Sequence, residues 1–292
     1  MKYTKRTYIF GLITFLSLFV VMQSCEDVID VDLPTEEPRL IVDALIRVDT
    51  SEVFTDIIVK VAETGSFFGT VPPVELQQIT ITNLDTGVGE VLLELEPGTG
   101  IYQNPDPFAT AELLEGEWLL QIDYQDQLFL AYAEFIPSVP IDNVVQGDGI
   151  LFDEDDTEVI ITFTDSAERD DFYLFDFDFA NYLVTEDEFY QGQQFEFSYY
   201  YDESLVAGDS INISLMGVDE DFYNYMDQLI TQSEEDFGPF ETPSLTVRGN
   251  IINATDIDNN FNNLNNTNNF ALGYFAIVQE FKETIIIEDQ GP

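Results

Sequence analysis

The sequence predicts a mainly β protein: an N-terminal immunoglobulin-like or transthyretin-like sandwich followed by a second antiparallel β domain with one short amphipathic helix. Three observations predict it. Apolar residues recur at every second position in a succession of short segments, turn-rich stretches such as LDTGVGE (84–90) and EPGTG (96–100) separate them, and only one stretch carries a helical period.

In chain order, Val42, Ala44, Ile46 and Val48 share one strand face, and so do Ile57, Val59 and Val61. Ile79 with Ile81, then Val91, Leu93 and Leu95, continue the pattern. Trp118, Leu120, Ile122 and Tyr124 alternate up to the turn Gln125-Asp126, and 128–135 returns as the partner strand. These segments make a sandwich over residues 39–136, although the cysteine pair that marks antibody domains is missing. Two prolines three apart, Pro137 and Pro140, favour an extended connection, read as a hinge at 137–140.

The second β domain is placed at 141–292. Val159, Ile161 and Phe163 alternate; Tyr173, Phe175, Phe177 and Phe179 alternate against Asp176 and Asp178; Phe195, Phe197, Tyr199 and Tyr201 do likewise, so that one face is oily and the other acidic. The helix is expected at 219–232, DEDFYNYMDQLITQ. Asp219 can cap the free amides of its first turn, and Phe222, Tyr225, Met226, Leu229 and Ile230 fall on one stripe. That stripe is expected to pack on the sheet, with a partner-binding groove as the alternative. Strands near 245–252, 272–278 and 284–288 close the chain.

The chain begins with Lys2, Lys5 and Arg6 followed by an apolar run from Tyr8 to Met22, the layout of a secretory signal over residues 1–24. As a helix that run would reach about 22 Å, short of the ~30 Å hydrocarbon core of a bilayer. It ends in Met22, Gln23, Ser24 and Cys25, which resembles the lipobox of bacterial lipoproteins, with Cys25 as the acylated residue. Cys25 is the sole cysteine, and multiple acyl chains make a stable anchor. Glu26 and Asp27 resemble the surface-export signal of Bacteroidota lipoproteins, and residues 25–38 read as an acidic tether interrupted by Pro34.

Charge and composition remove whole classes of function. The net charge is −48, and removal of residues 1–24 takes three of the nine basic residues and no acid, leaving six against 57 acids, a net of −51. Such a field repels phosphate backbones, so nucleic acid is not an expected partner. Hydrophobic residues at 45% and aromatics at 14% place the chain among folded proteins despite that charge. The chain has no histidine, so a Ser-His-Asp triad, a Cys-His pair and a His-ligated zinc are ruled out. With Cys25 acylated there is no thiolate nucleophile either. No catalytic residues and no cofactor are assigned, carboxylate chemistry being the one enzymatic route left open.

Asp256, Asp258 and Asn260 resemble the first half of a calcium loop, a candidate for a bound metal. Phe261 and Thr267 stand where such loops carry their glycine and bidentate glutamate, and NNFNNLNNTNN (259–269) also reads as a polar low-complexity loop. The acidic turn Asp153–Asp156 is a second cation candidate, or a solvated loop. In the run Tyr199–Tyr201, alternation turns Tyr200 to the face opposite its neighbours, where its ring could meet a sugar or peptide. Arg248 is expected to pair with acids at a domain seam, and Gly249 and Gly273 suit tight backbone approach.

The lipobox and tether, PRLIVDALI (38–46), DFYNYMDQL (221–229), VRGNI (247–251) and ALGYF (271–275), in that order, resemble the Bacteroidota lipoproteins grouped as domain of unknown function 4249. The resemblance covers essentially all of the chain after the signal. It implies a lipoprotein often encoded beside a TonB-dependent outer-membrane receptor, with no established catalytic residues. The expected function is a non-enzymatic, lipid-anchored accessory protein of the outer membrane or cell surface that works with such a receptor, capturing or gating its substrate. A free-standing glycan-binding or adhesive module is the alternative, and a carboxylate-dependent hydrolase ranks behind both. If Cys25 carries the anchor, Cys25→Ser should move the protein from the membrane fraction to the soluble fraction, as read by fractionation and intact-mass measurement.

Overall fold

In β1 (Leu40–Val48), the even-numbered residues Leu40, Val42, Ala44, Ile46 and Val48 are all buried, as a period of two demands. The computed structural model describes residues 38–65, 69–149, 157–233, 245–255 and 270–289, which belong to one compact unit beginning at Pro38. The architecture is mainly β. After β1 come β2 (Phe54–Thr55), β3 (Ile58–Glu63), β4 (Gln78–Asn83), β5 (Gly89–Val91), β6 (Leu93–Glu94), β7 (Ile101–Gln103) and β8 (Phe108–Ala109). The one-turn helix α1 (Thr110–Leu113) leads to β9 (Trp118–Tyr124), β10 (Gln127–Ala133) and β11 (Phe135–Ile136). Then follow β12 (Ile141–Gln146), β13 (Thr157–Thr164), β14 (Phe172–Asp176), β15 (Tyr182–Glu186), β16 (Gln194–Tyr201) and β17 (Ser210–Val218). Helix α2 (Glu220–Ser233), β18 (Ile252–Asn253) and β19 (Leu272–Ile286) complete the described elements.

A nine-stranded sheet runs in the order β15-β14-β17-β19-β1-β3-β7-β6, with β11 on the edge of β19. Its backbone is β19, whose 15 residues extend for about 50 Å. The first half lies parallel to β1, from Ile41 opposite Leu272 to Val48 opposite Gln279. The second half lies antiparallel to β17, from Met216 opposite Glu280 to Ser210 opposite Ile286. One face of this sheet is covered by two smaller sheets. Beside β1 and β3 sits β18-β10-β9-β4-β5, sealing a core with Trp118, Ile79, Ile81, Leu120 and Phe275. Beside β14 and β17 sits β12-β13-β16, sealing an aromatic core in which Phe163 meets Tyr173, Phe175, Tyr190 and Phe195 at ring distances of 5.5–6.0 Å. The strand pairings close no barrel.

The opposite face of the long sheet carries α2. Asp219 Oδ1 accepts the Phe222 amide at 2.7 Å, capping the helix as its sequence predicts. Phe222 and Met226 are buried against Leu174, Met216, Val218, Tyr274, Ala276 and Val278, at about 1.5–3 kcal/mol for each apolar side chain removed from water. The stripe thus packs on the sheet. No helix among the described residues is long and apolar enough to cross a membrane.

Several expectations change. The first core is completed by Ile251, Ala271, Phe275 and Ile277, from the far end of the chain, so the two sandwiches share a sheet instead of dividing at residue 137. That sharing requires parallel pairing, at β1–β19 and β11–β19, in a chain read as antiparallel. Residues 137–140 are pinned instead of hinged. Ser138 is buried, its amide donates to Gln279 Oε1 at 2.9 Å, its hydroxyl to the Leu215 carbonyl at 3.3 Å, and its carbonyl accepts from Arg169. Val91, Leu93 and Leu95 face solvent while Leu92 is buried, because β5 pairs with one sheet and β6 with the other, and the chain crosses the core between them at Leu92. Residues 272–286 form one strand, β19, instead of two. The strand expected at 245–252 reduces to β18, because the Asn250 side-chain amide takes the place of a ladder: Oδ1 accepts from the Phe275 amide and Nδ2 donates to its carbonyl, both at 2.8 Å. Finally, Phe179 leaves the β14 alternation, since Asp178, Phe179 and Ala180 all adopt positive φ (61°, 53° and 63°) and turn its ring outward, 55% exposed.

The β1–β19 seam depends on Gly273. Its φ is +97°, and a Cβ there would stand 1.8 Å from the Val42 carbonyl oxygen. Gly273→Ala should therefore cost about 3 kcal/mol or more, read as a lower urea midpoint at unchanged slope.

Candidate functional site

Because β1 alternates, the residues between its core positions point to the face that carries α2. Ile41, Asp43, Leu45 and Arg47 stand there, with Ile58 and Lys60 from β3 beside them. The helix covers only part of that face, and between its flank and the outer surfaces of β1 and β3 lies a cavity of about 550 Å³. Asp56, Leu174, Tyr182, Phe222, Tyr225, Met226, Leu229 and Tyr274 also line it. A concave, mainly apolar space of this size with a few polar groups is the usual form of a small-molecule site.

The wall is ordered by packing. Tyr274 meets Phe222 edge-on at 4.8 Å and Tyr225 at 5.1 Å, so the three rings brace one another. Arg47 Nη2 donates to Asp176 Oδ2 at 2.7 Å and Nη1 to Glu280 Oε1 at 3.3 Å, tying β1 to β14 and β19. Burial works against that guanidinium, but the Asp176 hydrogen bond and the fields of Asp176 and Glu280 outweigh it and hold its pKa above the ordinary value. Lys60 Nζ sits 3.7 Å from Asp43 Oδ2 in a solvent-exposed pair. Burial first, then the charge of Asp43, raises the Tyr225 phenol; burial, then Asp219 and Asp221, raises that of Tyr274. These phenols are neutral at physiological pH.

A family model described as Domain of unknown function (DUF4249) matches residues 26–284, a span that contains every residue of the cavity wall. The chain belongs to the DUF4249 family. No curated protein matches it.

A second constellation in this DUF4249 protein is a buried trio, Asp165, Asp171 and Asp187, with one carboxylate oxygen from each within 4.8 Å of the others. Hard cations favour such oxygens, but protein donors already occupy most of them. The Tyr173 hydroxyl donates to Asp165 Oδ1 at 2.6 Å and is 3.1 Å from Asp171 Oδ2; the Gly192 amide donates to Asp165 Oδ2, Arg169 Nε to Asp171 Oδ1, and the Asp171 amide to Asp187 Oδ2. The trio reads as a hydrogen-bonded lock between loops.

The sequence-derived candidates lie elsewhere. Tyr200 is half-buried on β16 and its hydroxyl donates to Glu158 Oε1 at 3.0 Å, while the Gly149 amide donates to Oε2. Hydrogen bonds from Ser198, Gly149 and Tyr200 hold the Glu158 carboxyl below its usual range despite its burial. Arg248 lays its guanidinium 3.8 Å from the centre of the Phe270 ring, and Arg39 stands over the same ring at 4.1 Å, an aromatic partner that the sequence reading lacked. Gly249 approaches Gly273 so closely that a Cβ would lie 1.8 Å from its carbonyl oxygen. Cys25, the calcium candidates Asp256, Asp258 and Asn260, and the turn Asp153–Asp156 all lie outside the described residues. The cavity itself escaped the sequence reading. Its signal was available in LIVDALI, where Ile41 and Leu45 make β1 apolar on both faces, as two-sided burial requires.

Burial raises the Asp171 carboxyl above its ordinary 3.8, more than Arg169 and Tyr173 lower it. The stability tied to its protonation is therefore complete below 3.8 and lost as pH rises through the elevated folded value. The urea midpoint at fixed ionic strength should fall between pH 4 and pH 7, and the fall should be shallower in Asp171→Asn.

Proposed function

We propose that this DUF4249 protein is a non-enzymatic, lipid-anchored accessory protein of the Bacteroidota outer membrane, which captures a small molecule beneath α2 and hands it to a TonB-dependent transporter. The observation that carries the reading is the cavity: an apolar, ring-braced space of about 550 Å³ whose reactive inventory is bare. Its wall holds phenols, aliphatic groups and charged side chains, and the chain has no histidine to move a proton at neutral pH. Three of the four charged wall residues are engaged in ion pairs, Arg47 with Asp176 and Glu280 and Lys60 with Asp43. Such a wall suits binding and orientation.

The anchor at Cys25 and the tether that follows would hold this domain within reach of a membrane partner, and the negative field of the chain would keep it off anionic surfaces. Affinity capture of the tagged, acylated protein from gently solubilised outer membranes should co-recover a β-barrel transporter in near-stoichiometric amount. Recovery of the protein free of any barrel, with its lipid intact, would exclude the transporter role.

A further inference from the structure

We propose that the ligand taken by the cavity beneath α2 is an apolar molecule bearing a positive charge, of the arylalkyl- or alkyl-ammonium class. The proposal rests on the capture reading for its biological setting. The body of such a ligand is specified by the wall: Leu45, Ile58, Leu174, Met226 and Leu229 offer aliphatic surface, and a volume of about 550 Å³ fits a ring or a short chain.

The charge follows from what the wall leaves uncompensated. Arg47 is held between Asp176 and Glu280, so an incoming anion would have to displace one carboxylate and face the other. Lys60 has Asp43 beside it. Asp56, the fourth charged residue of the wall, is exposed and makes no hydrogen bond or ion pair among the described residues. With the two carboxylates behind Arg47 counted, the charged groups at the cavity are four acids against two bases. A cation meets the open carboxylate of Asp56 and the loosely paired Asp43, in a wall that also holds the aromatic rings of Tyr225 and Tyr182. The net charge of −48 raises the local concentration of cations and lowers that of anions at the same mouth.

The test is a matched trio, 4-phenylbutylammonium, 4-phenylbutanol and 4-phenylbutanoate, titrated calorimetrically into the full-length protein in detergent, with protein-free detergent as blank. The ammonium should bind about tenfold more tightly than the carboxylate, with the alcohol between, and the gap should shrink as salt is raised. Asp56→Asn should weaken the ammonium about threefold or more and leave the alcohol unchanged. Leu229→Trp, at a position already 39% exposed and so tolerant of substitution, should weaken all three by filling the space. Equal or tighter binding of the carboxylate, an ammonium affinity indifferent to Asp56→Asn, or no binding of any of the three would each overturn the proposal. Absence of binding beside intact recovery of a barrel would remove the ligand class alone; binding without a barrel would remove the transporter role alone.

Discussion

The structure turns on one strand that belongs to two sandwiches. β19 gives its first half to β1 in parallel and its second half to β17 in antiparallel register, so neither core can close without it. Parallel neighbours demand a long crossover, and here the crossover is the whole chain between β1 and β19. The seam is tight enough to forbid side chains at two places, Gly273 against Val42 and Gly249 against Gly273. Where backbone approaches backbone so closely, the two halves cannot move as separate domains. The pinning of Ser138 by Gln279, Leu215 and Arg169 has the same consequence at the covalent link between them.

A shared sheet also explains where the cavity lies. Both small sheets pack on one face, and each is broad enough to seal its half. Among the described residues the other face receives only α2, whose diameter of roughly 10 Å spans about two strands. The helix is spent on β14, β15 and the start of β19, and no other described element lies over the outer residues of β1 and β3 beside it. An apolar strand face left open in this way must be wetted, filled or covered, and Ile41, Leu45 and Ile58 are the residues that pose the problem.

Local signals are legible in the sequence and long-range ones are not, for a physical reason. The inward faces of β1, β3, β9 and β16 and the cap at Asp219 are each written within a few residues, where period and hydrogen-bonding chemistry act. The parallel partner of β1 lies more than 200 residues away, and no local pattern specifies it. Leu92 shows the limit sharply. The alternation Val91, Leu93, Leu95 is real but marks the outside, because a strand that changes sheet at Leu92 buries the residue between. Phe179 shows another, since nothing in its spacing announces the three left-handed residues that turn it out. The cavity combined both failures: its two-sided strand was visible, but the helix that walls it comes from a segment far along the chain.

The placement of the cations ties fold and site together. After residue 24 the chain has only six, and its four arginines all join distant segments. Arg47 links β1 to β14 and β19, Arg169 links Asp171 to Ser138, and Arg39 and Arg248 share the ring of Phe270. Guanidinium suits that role, since its planar fork can serve two acceptors or lie on a ring while remaining charged. In a chain of 57 acids the arginines are therefore consumed in holding the fold, and at the apolar recess beside β1 the charge left without an ion pair among the described residues is the carboxylate of Asp56. Selectivity at the cavity then follows from the architecture: the arginine that an anion would need is the same arginine that fastens the shared sheet.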